Sequence, residues 1–348
     1  MASQLTENAW LEWMASLMGA GPRQTETAAL PPQEFYCLLE ELPLHLIPRR
    51  LGEGWRRNRE VEGPLFLNPR CTILRRGQVP VELEGQRGLL DNFSLEGTVA
   101  WVRDEASGGL QPFWLSTRLE EMLSGVGAGE AVPEAFPDDA RALLARAGIL
   151  VAADHGERRL AEWAEIAKRA CGEFHTNGYA PLGGLIHPFH LAALRRYYRQ
   201  AIRRGAIAFG DEQCARRYGA HNESVARFFH HQIAGAVGAA VGEAVKPSYV
   251  YLGSYVGGAE LKKHIDREQC EFSVTLCLDF SPEPELATSW PVRLDTREGA
   301  VTVYQALGDG LLYRGPKVPH YRDVLAEGCA STSMFLHYVS ADFAGALE

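Results

Sequence analysis

Tyr255-Val256-Gly257-Gly258-Ala259-Glu260-Leu261-Lys262-Lys263-His264-Ile265-Asp266 is followed closely by Glu271-Phe272-Ser273-Val274-Thr275-Leu276-Cys277-Leu278-Asp279-Phe280. The second run alternates cleanly. Phe272, Val274, Leu276, Leu278 and Phe280 are expected on one face of a strand. Residues 248–256 read as the preceding strand, turned at Gly257-Gly258. Pro282-Glu283-Pro284 ends the alternating run, and further strands are expected at 291–294, 300–304, 310–313 and 331–339. Such a run of short strands reads as an antiparallel double-stranded β-helix, or jelly roll.

The strand period has a chemical consequence. Residues i and i+2 of a strand point to the same side, so His264 and Asp266 are expected to face the interior together, with Ile265 opposite. His320 lies far downstream, where a jelly roll folds the chain back on itself. Two imidazoles and one carboxylate occupy one face of an octahedral metal and leave three positions open. That is the donor set of non-haem Fe(II) oxygenases. A plainer reading, in which Asp266 only orients a surface His264, stands beside it.

The order of features resembles the Fe(II)/2-oxoglutarate-dependent dioxygenase superfamily, in its prolyl-hydroxylase-like branch. The residues that carry the resemblance are the approach Tyr255-x-x-Gly258-x-x-Leu261, then His264-x-Asp266, then Leu307-Gly-Asp-Gly-Leu-Leu-Tyr-Arg-Gly315 before His320. It spans about residues 175–342. The resemblance implies Fe(II) held by His264, Asp266 and His320, 2-oxoglutarate and O2 as co-substrates, and release of succinate and CO2. It implies hydroxylation of an amino-acid, peptide or natural-product substrate. One departure stands out: the stretch Gly328-Cys-Ala-Ser-Thr-Ser-Met334, where the family carries a basic residue for the distal carboxylate, has none. Arg322 is the first replacement, since continued alternation from His320 would turn it inward, and its guanidinium fork suits a carboxylate. Arg314 is the second. Ser331, Ser333 and Tyr249, Tyr251 and Tyr255 could add hydroxyls. A metal-dependent oxygenase without 2-oxoglutarate and a non-catalytic ligand-binding barrel remain the alternatives.

Other polar residues read more plainly. His230 and His231 are adjacent on a helix and cannot face one ligand together. Lys262 and Lys263 read as a solvated face, Cys270 and Cys277 as core thiols, and Trp163, Tyr197 and Tyr198 as packing aromatics. His337 falls in phase with Ser331, Ser333 and Phe335. Glu268 and Gln269 are close enough to the metal pair to touch substrate.

Upstream, the chain reads as α+β: a small mixed module over 1–151, a connecting helix over 152–174, and the oxygenase domain over 175–348. Helices are expected at 4–18, at 32–42 after Pro31-Pro32, at 155–172, after Pro188, and at 224–242, where small residues favour close packing. Short strands are expected between 64 and 103. Capped helices are expected from Ser116 and from Asp138. A cap on the barrel, a dimerisation element and a peptide-recognition module of winged-helix type are the readings open for the first module. The chain of 348 residues has an ordinary globular composition, 46% hydrophobic and 23% charged. Its formal net charge of −9 argues against nucleic acid and anionic membrane as partners. Seven cysteines without a Cys-x-x-Cys pair argue against a disulfide framework. With no signal-peptide pattern at the start, a cytoplasmic location is expected. Arginine far outnumbers lysine, which fits a GC-rich bacterial coding sequence.

Overall fold

The computed structural model describes residues 33–49 and 63–348, and mixes helix and sheet along the chain. The helix expected at 4–18 lies outside the described residues. In the first part, β1 (Phe66–Leu67) pairs with β5 (Leu150–Val151), and β2 (Cys71–Leu74), β3 (Thr98–Arg103) and β4 (Leu110–Leu115) form an antiparallel sheet. The helices here are α1 (Val81–Glu84), α2 (Thr117–Leu123) and α3 (Asp138–Arg146). Ser116 caps α2, its hydroxyl accepting the Leu119 N–H. The cap expected on α3 is absent. Pro137 precedes that helix, and Asp138 and Asp139 instead sit in its first turn, where the helix dipole favours negative charge.

The helix expected over 32–42 does not form in the described part of that span. Phe35 and Leu38 make parallel bridges to Phe93 and Trp114. The Phe35 N–H donates to the Asn92 carbonyl at 2.6 Å and the Trp114 N–H to the Cys37 carbonyl at 2.9 Å. These distant partners hold the segment extended, and only Leu39–Glu41 closes a single tight turn. Tertiary pairing overrides a weak local preference.

Three longer helices follow: α4 (His155–Asn177), α5 (Pro188–Arg203) and α6 (Ser224–Val241). Pro188 opens α5, and the His187 ring accepts the Phe189 N–H. Glu223 caps α6, and the same carboxylate accepts the hydroxyls of Tyr197 and Tyr198 on α5. One residue thus ties the start of α6 to the face of α5. The small residues of α6 serve close approach: a Cβ at Gly235 would lie 2.2 Å from the Ser107 carbonyl oxygen.

The remaining strands are β6 (Tyr179–Leu182), β7 (Ala208–Phe209), β8 (Arg217–His221), β9 (Val245–Val256), β10 (Leu261–His264), β11 (Phe272–Ser281), β12 (Val292–Thr296), β13 (Gly299–Val303), β14 (Gly310–Tyr313), β15 (His320–Arg322) and β16 (Ala330–Ser340). They build two antiparallel sheets. The larger runs β6-β14-β11-β16-β9-β8-β7 and the smaller β10-β15-β12-β13. The sequence pattern did not reveal β6, β7 or β8. Nor does the single apolar face expected for β11 run its full length. The register of β11 against β16 shifts between Cys277 and Asp279, and such a bulge reverses the alternation beyond it. Asp279 is thereby directed at α5.

One hydrophobic core runs from Phe35 to Tyr338. At its first end Phe35 packs on Phe93, Trp114, Tyr197 and Phe229, with ring centroids 5.1–6.0 Å apart. That joint links the N-terminal strands to α5 and α6. A smaller core of Val292, Leu294, Leu311, Tyr313 and Val318 lies on the inner side of the small sheet. All seven cysteines are free. Among the described residues no helix is long and apolar enough to cross a membrane.

Asp279 clamps α5 to the large sheet. Its carboxylate accepts Arg195 Nε at 2.8 Å and Arg199 Nε at 2.6 Å, while Arg195 also reaches Glu283 and the Leu46 carbonyl. Burial pushes the Asp279 carboxyl up, but Arg195 and Arg199 outweigh it and hold it below its usual 3.8. Its contribution to stability is therefore present above that value and is lost as pH falls through the lowered one. Asp279→Ala should cost about 3 kcal/mol at neutral pH, because it removes the carboxylate shared by Arg195 and Arg199 and leaves Glu283 alone to balance the buried Arg195. Urea unfolding would measure this, and the gap from the parent protein should narrow in strong acid.

Candidate metal centre

β10 and β15 are antiparallel neighbours, and His264 stands directly opposite His320. Their rings lie 4.3 Å apart, tilted by 56°. The next paired position is Leu261 with Arg322, so β10 carries one more residue than β15 in this interval. Residues three apart on a regular strand face opposite sides. The bulge removes that difference, and Leu261 and His264 both line the same cavity. The expectation that His264 and Asp266 share one strand needs correction. β10 ends at His264, and Asp266 lies in the following loop. A backbone hydrogen bond from Asp266 N–H to the Gly315 carbonyl, 3.0 Å, holds that loop in place. Ile265, 55% exposed, turns away as expected.

The three side chains converge. Asp266 Oδ1 is 3.5 Å from His320 Nε2 and 3.7 Å from His264 Nε2. His264 Nδ1 is 2.8 Å from the Lys262 carbonyl and His320 Nδ1 is 3.0 Å from the Val318 carbonyl. A carbonyl only accepts, so each Nδ1 carries the hydrogen and each Nε2 presents its lone pair inward. This backbone support is the usual way in which a ligating imidazole is oriented. Burial pushes the His264 ring toward its neutral form, and His320 adds to that. Asp266 Oδ2 accepts the Ser273 hydroxyl at 2.8 Å, which leaves Oδ1 for the histidines. Burial pushes the Asp266 carboxyl up, but His320 and His337, when their rings carry an added proton, together with the Ser273 hydroxyl, bring it down to about 2. The ligand atoms of His264, Asp266 and His320 all lie within 4.8 Å of one another, as one small cation requires.

A cavity of about 420 Å³ opens onto this cluster. Its walls are Tyr249, Tyr251, Tyr255, Tyr313, Phe335 and Leu261, and its cations are Arg217 and Arg267. Tyr255 is fully buried, and its hydroxyl accepts from Arg217 at 3.0 Å. Ser331 stands beside Tyr255 across the β9–β16 pair. Ser333 is buried, and its hydroxyl finds no hydrogen-bond partner. Arg322 does turn inward, as alternation on β15 requires. It is 3% exposed, stacked 4.7 Å from the Trp290 ring, and among the described residues donates only to the Trp290 carbonyl and to Gln305. Arg314 is not brought to the cluster. It follows β14 on the outer side, 4.4 Å over the Phe174 ring of α4.

His337 joins the site through Ser273, with Nδ1 3.0 Å from its hydroxyl. Glu268 and Gln269 do not line the cavity, and neither do Arg322, Ser331 or Ser333, which lie buried behind its wall; His230 is spent on the His337 carbonyl. Sequence reasoning missed Arg217, His221, Arg267, Ser273 and Gly315. Arg217 and His221 share β8 with Gly219, and alternation there was the signal. Gly315 closes the stretch that carries the resemblance, but nothing in the sequence showed its role: a Cβ on it would lie 2.4 Å from the Cys270 carbonyl oxygen and 2.6 Å from Asp266 Oδ2. Gly315→Ala should therefore weaken Mn(II) binding by about tenfold or more while the fold persists, since misplacing a ligand support commonly costs 10–100-fold. Isothermal titration with Mn(II), beside circular dichroism, checks this.

No family model and no curated protein matches the sequence. Among solved structures, the chain is similar to the non-heme alpha ketoglutarate dependent epimerase SnoN from nogalamycin biosynthesis, at 12% identity and TM-score 0.44, over 51% of this chain and 82% of that one. A Pseudomonas putida prolyl-4-hydroxylase is similar at 14% identity and TM-score 0.40, over 50% and 98%. AviO1 from Streptomyces viridochromogenes is similar at 19% identity and TM-score 0.42, so that about half of this chain, 52%, is laid over 97% of that protein.

Proposed function

We propose that this chain is an Fe(II)- and 2-oxoglutarate-dependent oxygenase that hydroxylates a C–H of an amino-acid, peptide or natural-product substrate. The two sheets are read as a double-stranded β-helix with the iron at its open end. The observation that carries the reading is the convergence of His264 Nε2, His320 Nε2 and Asp266 Oδ1, with both Nδ1 atoms already committed to carbonyls. Three donors on neighbouring segments leave the cavity side of a cation open, which suits catalysis better than a closed structural site.

The interior also fits the second group. A buried guanidinium is costly unless an anion meets it. Arg322 has no carboxylate partner among the described residues, only the neutral oxygens of Trp290 and Gln305. Ser333 adds a buried hydroxyl with nothing to bond. Arg322 and Ser333 would hold the distal carboxylate of 2-oxoglutarate, with Tyr255 beside them. When bound, iron and 2-oxoglutarate supply the oxidising chemistry with O2, giving succinate, CO2 and a hydroxylated product. The chain's own work is positional. Lys262 and Val318 carbonyls aim the imidazoles, Ser273 and Gly315 aim the carboxylate, and the tyrosine walls exclude water.

Anaerobic addition of Fe(II) and 2-oxoglutarate should give a weak visible charge-transfer band, and O2 should then release succinate. Tight iron binding with neither band nor succinate would leave the chain a metal protein without this co-substrate. His264→Ala should abolish the band. Arg322→Met should raise the KM for 2-oxoglutarate by about 10–100-fold, the worth of a charged hydrogen-bond pair. Its Fe(II) affinity should be unchanged.

A further inference from the structure

We propose that the substrate carries a carboxylate and that Arg267 binds it, a specificity that rests on the oxygenase reading above. The charges around the cavity lead there. Arg217 donates Nε and Nη2 to Asp211 at 3.0 and 2.6 Å, so its charge is matched. A divalent metal, Asp266, Arg322 and a dianionic 2-oxoglutarate cancel one another. Arg267 then remains. It lines the cavity from the solvent-exposed side, where water can still reach its charge, and among the described residues no carboxylate forms an ion pair with it.

Arg267 is also mounted for the task. Its guanidinium lies 4.7 Å over the Tyr249 ring, and Nε points to the Tyr249 hydroxyl at 3.4 Å. Tyr249 is itself fixed. Its hydroxyl meets Cys270 Sγ at 3.0 Å, and its ring packs on His221 and His337 at 5.1 and 4.6 Å. The partners of Arg267 are the neutral Tyr249 hydroxyl and Cys270 thiol, which leave the charge itself unmatched. A carboxylate is the better acceptor, and an arginine fork holds a carboxylate better than a lysine does. Arg267 is the next residue after Asp266, so an anion held there sets the rest of the molecule beside the metal ligands. Tyr251 and Phe335 offer that part an apolar wall. The chemistry points to a monocarboxylate with an apolar body, such as an acylated amino acid or a peptide C-terminus.

The test uses protein loaded with Co(II) and 2-oxoglutarate, titrated calorimetrically with N-acetyl-phenylalanine, N-acetyl-leucine and their primary amides. The acids should bind about tenfold or more tighter than the amides, the effect of one charged hydrogen-bond pair. Arg267→Gln should erase that preference and Arg267→Lys should keep part of it. Neither should change the cobalt spectrum or its response to 2-oxoglutarate. Acids and amides binding equally, a preference that survives in Arg267→Gln, or no acid binding below about 10 mM overturns the proposal. A cobalt spectrum blind to 2-oxoglutarate instead defeats the co-substrate reading. The comparison of acid and amide on the Co(II) protein then still decides the role of Arg267.

Discussion

The pairing of His264 with His320 across β10 and β15 is the constraint on which the rest of the site depends. A cross-strand pair brings two side chains within reach without any help from loops. The third donor then needs only a short extension of β10, which the Asp266–Gly315 backbone bond provides. The extra residue in β10 keeps Leu261 in the same wall. Without it, the strand would offer either the histidine or the leucine to the cavity, not both. Geometry of this kind is held by backbone hydrogen bonds, so it does not depend on the ligand that fills it.

Two buried arginines show how differently one fold treats the same charge. Arg195 is enclosed by Asp279, Glu283 and a carbonyl, a closed arrangement that joins α5 to the large sheet. Among the described residues Arg322 has only neutral oxygens and the face of Trp290. Low surroundings of this sort raise the cost of an unmatched charge by several kcal/mol. The first arginine is satisfied by the protein. The second lacks a carboxylate among the described residues, and under the proposed function an entering anion would supply it.

Much of this was legible in the sequence. Alternation found β9, β11 and β16, helical spacing found α4, α5 and α6, and the triad was visible as residue types. What escaped depends on partners far away in the chain. Residues 33–42 carry a plausible helical pattern, yet Phe93 and Trp114 draw them out straight. Strand β8 is short and polar, so Arg217 went unnoticed although it lines the cavity. The bulges in β10 and β11 have no composition signal, because they arise from how two strands meet. Alternation from His320 already favoured Arg322 over Arg314 as the inward-facing arginine. What the sequence lacked was the partner of each: Arg314 lies over Phe174 and Arg322 against Trp290.

The aromatic joint around Phe35 bears on how such a molecule is inherited. Phe93 and Trp114 come from the first part of the chain, and Tyr197, Phe228 and Phe229 from the helices that back the large sheet. Neither side has a finished surface there. A gene fusion that kept one and exchanged the other would leave bare rings facing water, a patch prone to aggregation. The two stretches therefore complete one another's surface, and a large change of volume on one side of the joint would open a gap against the other.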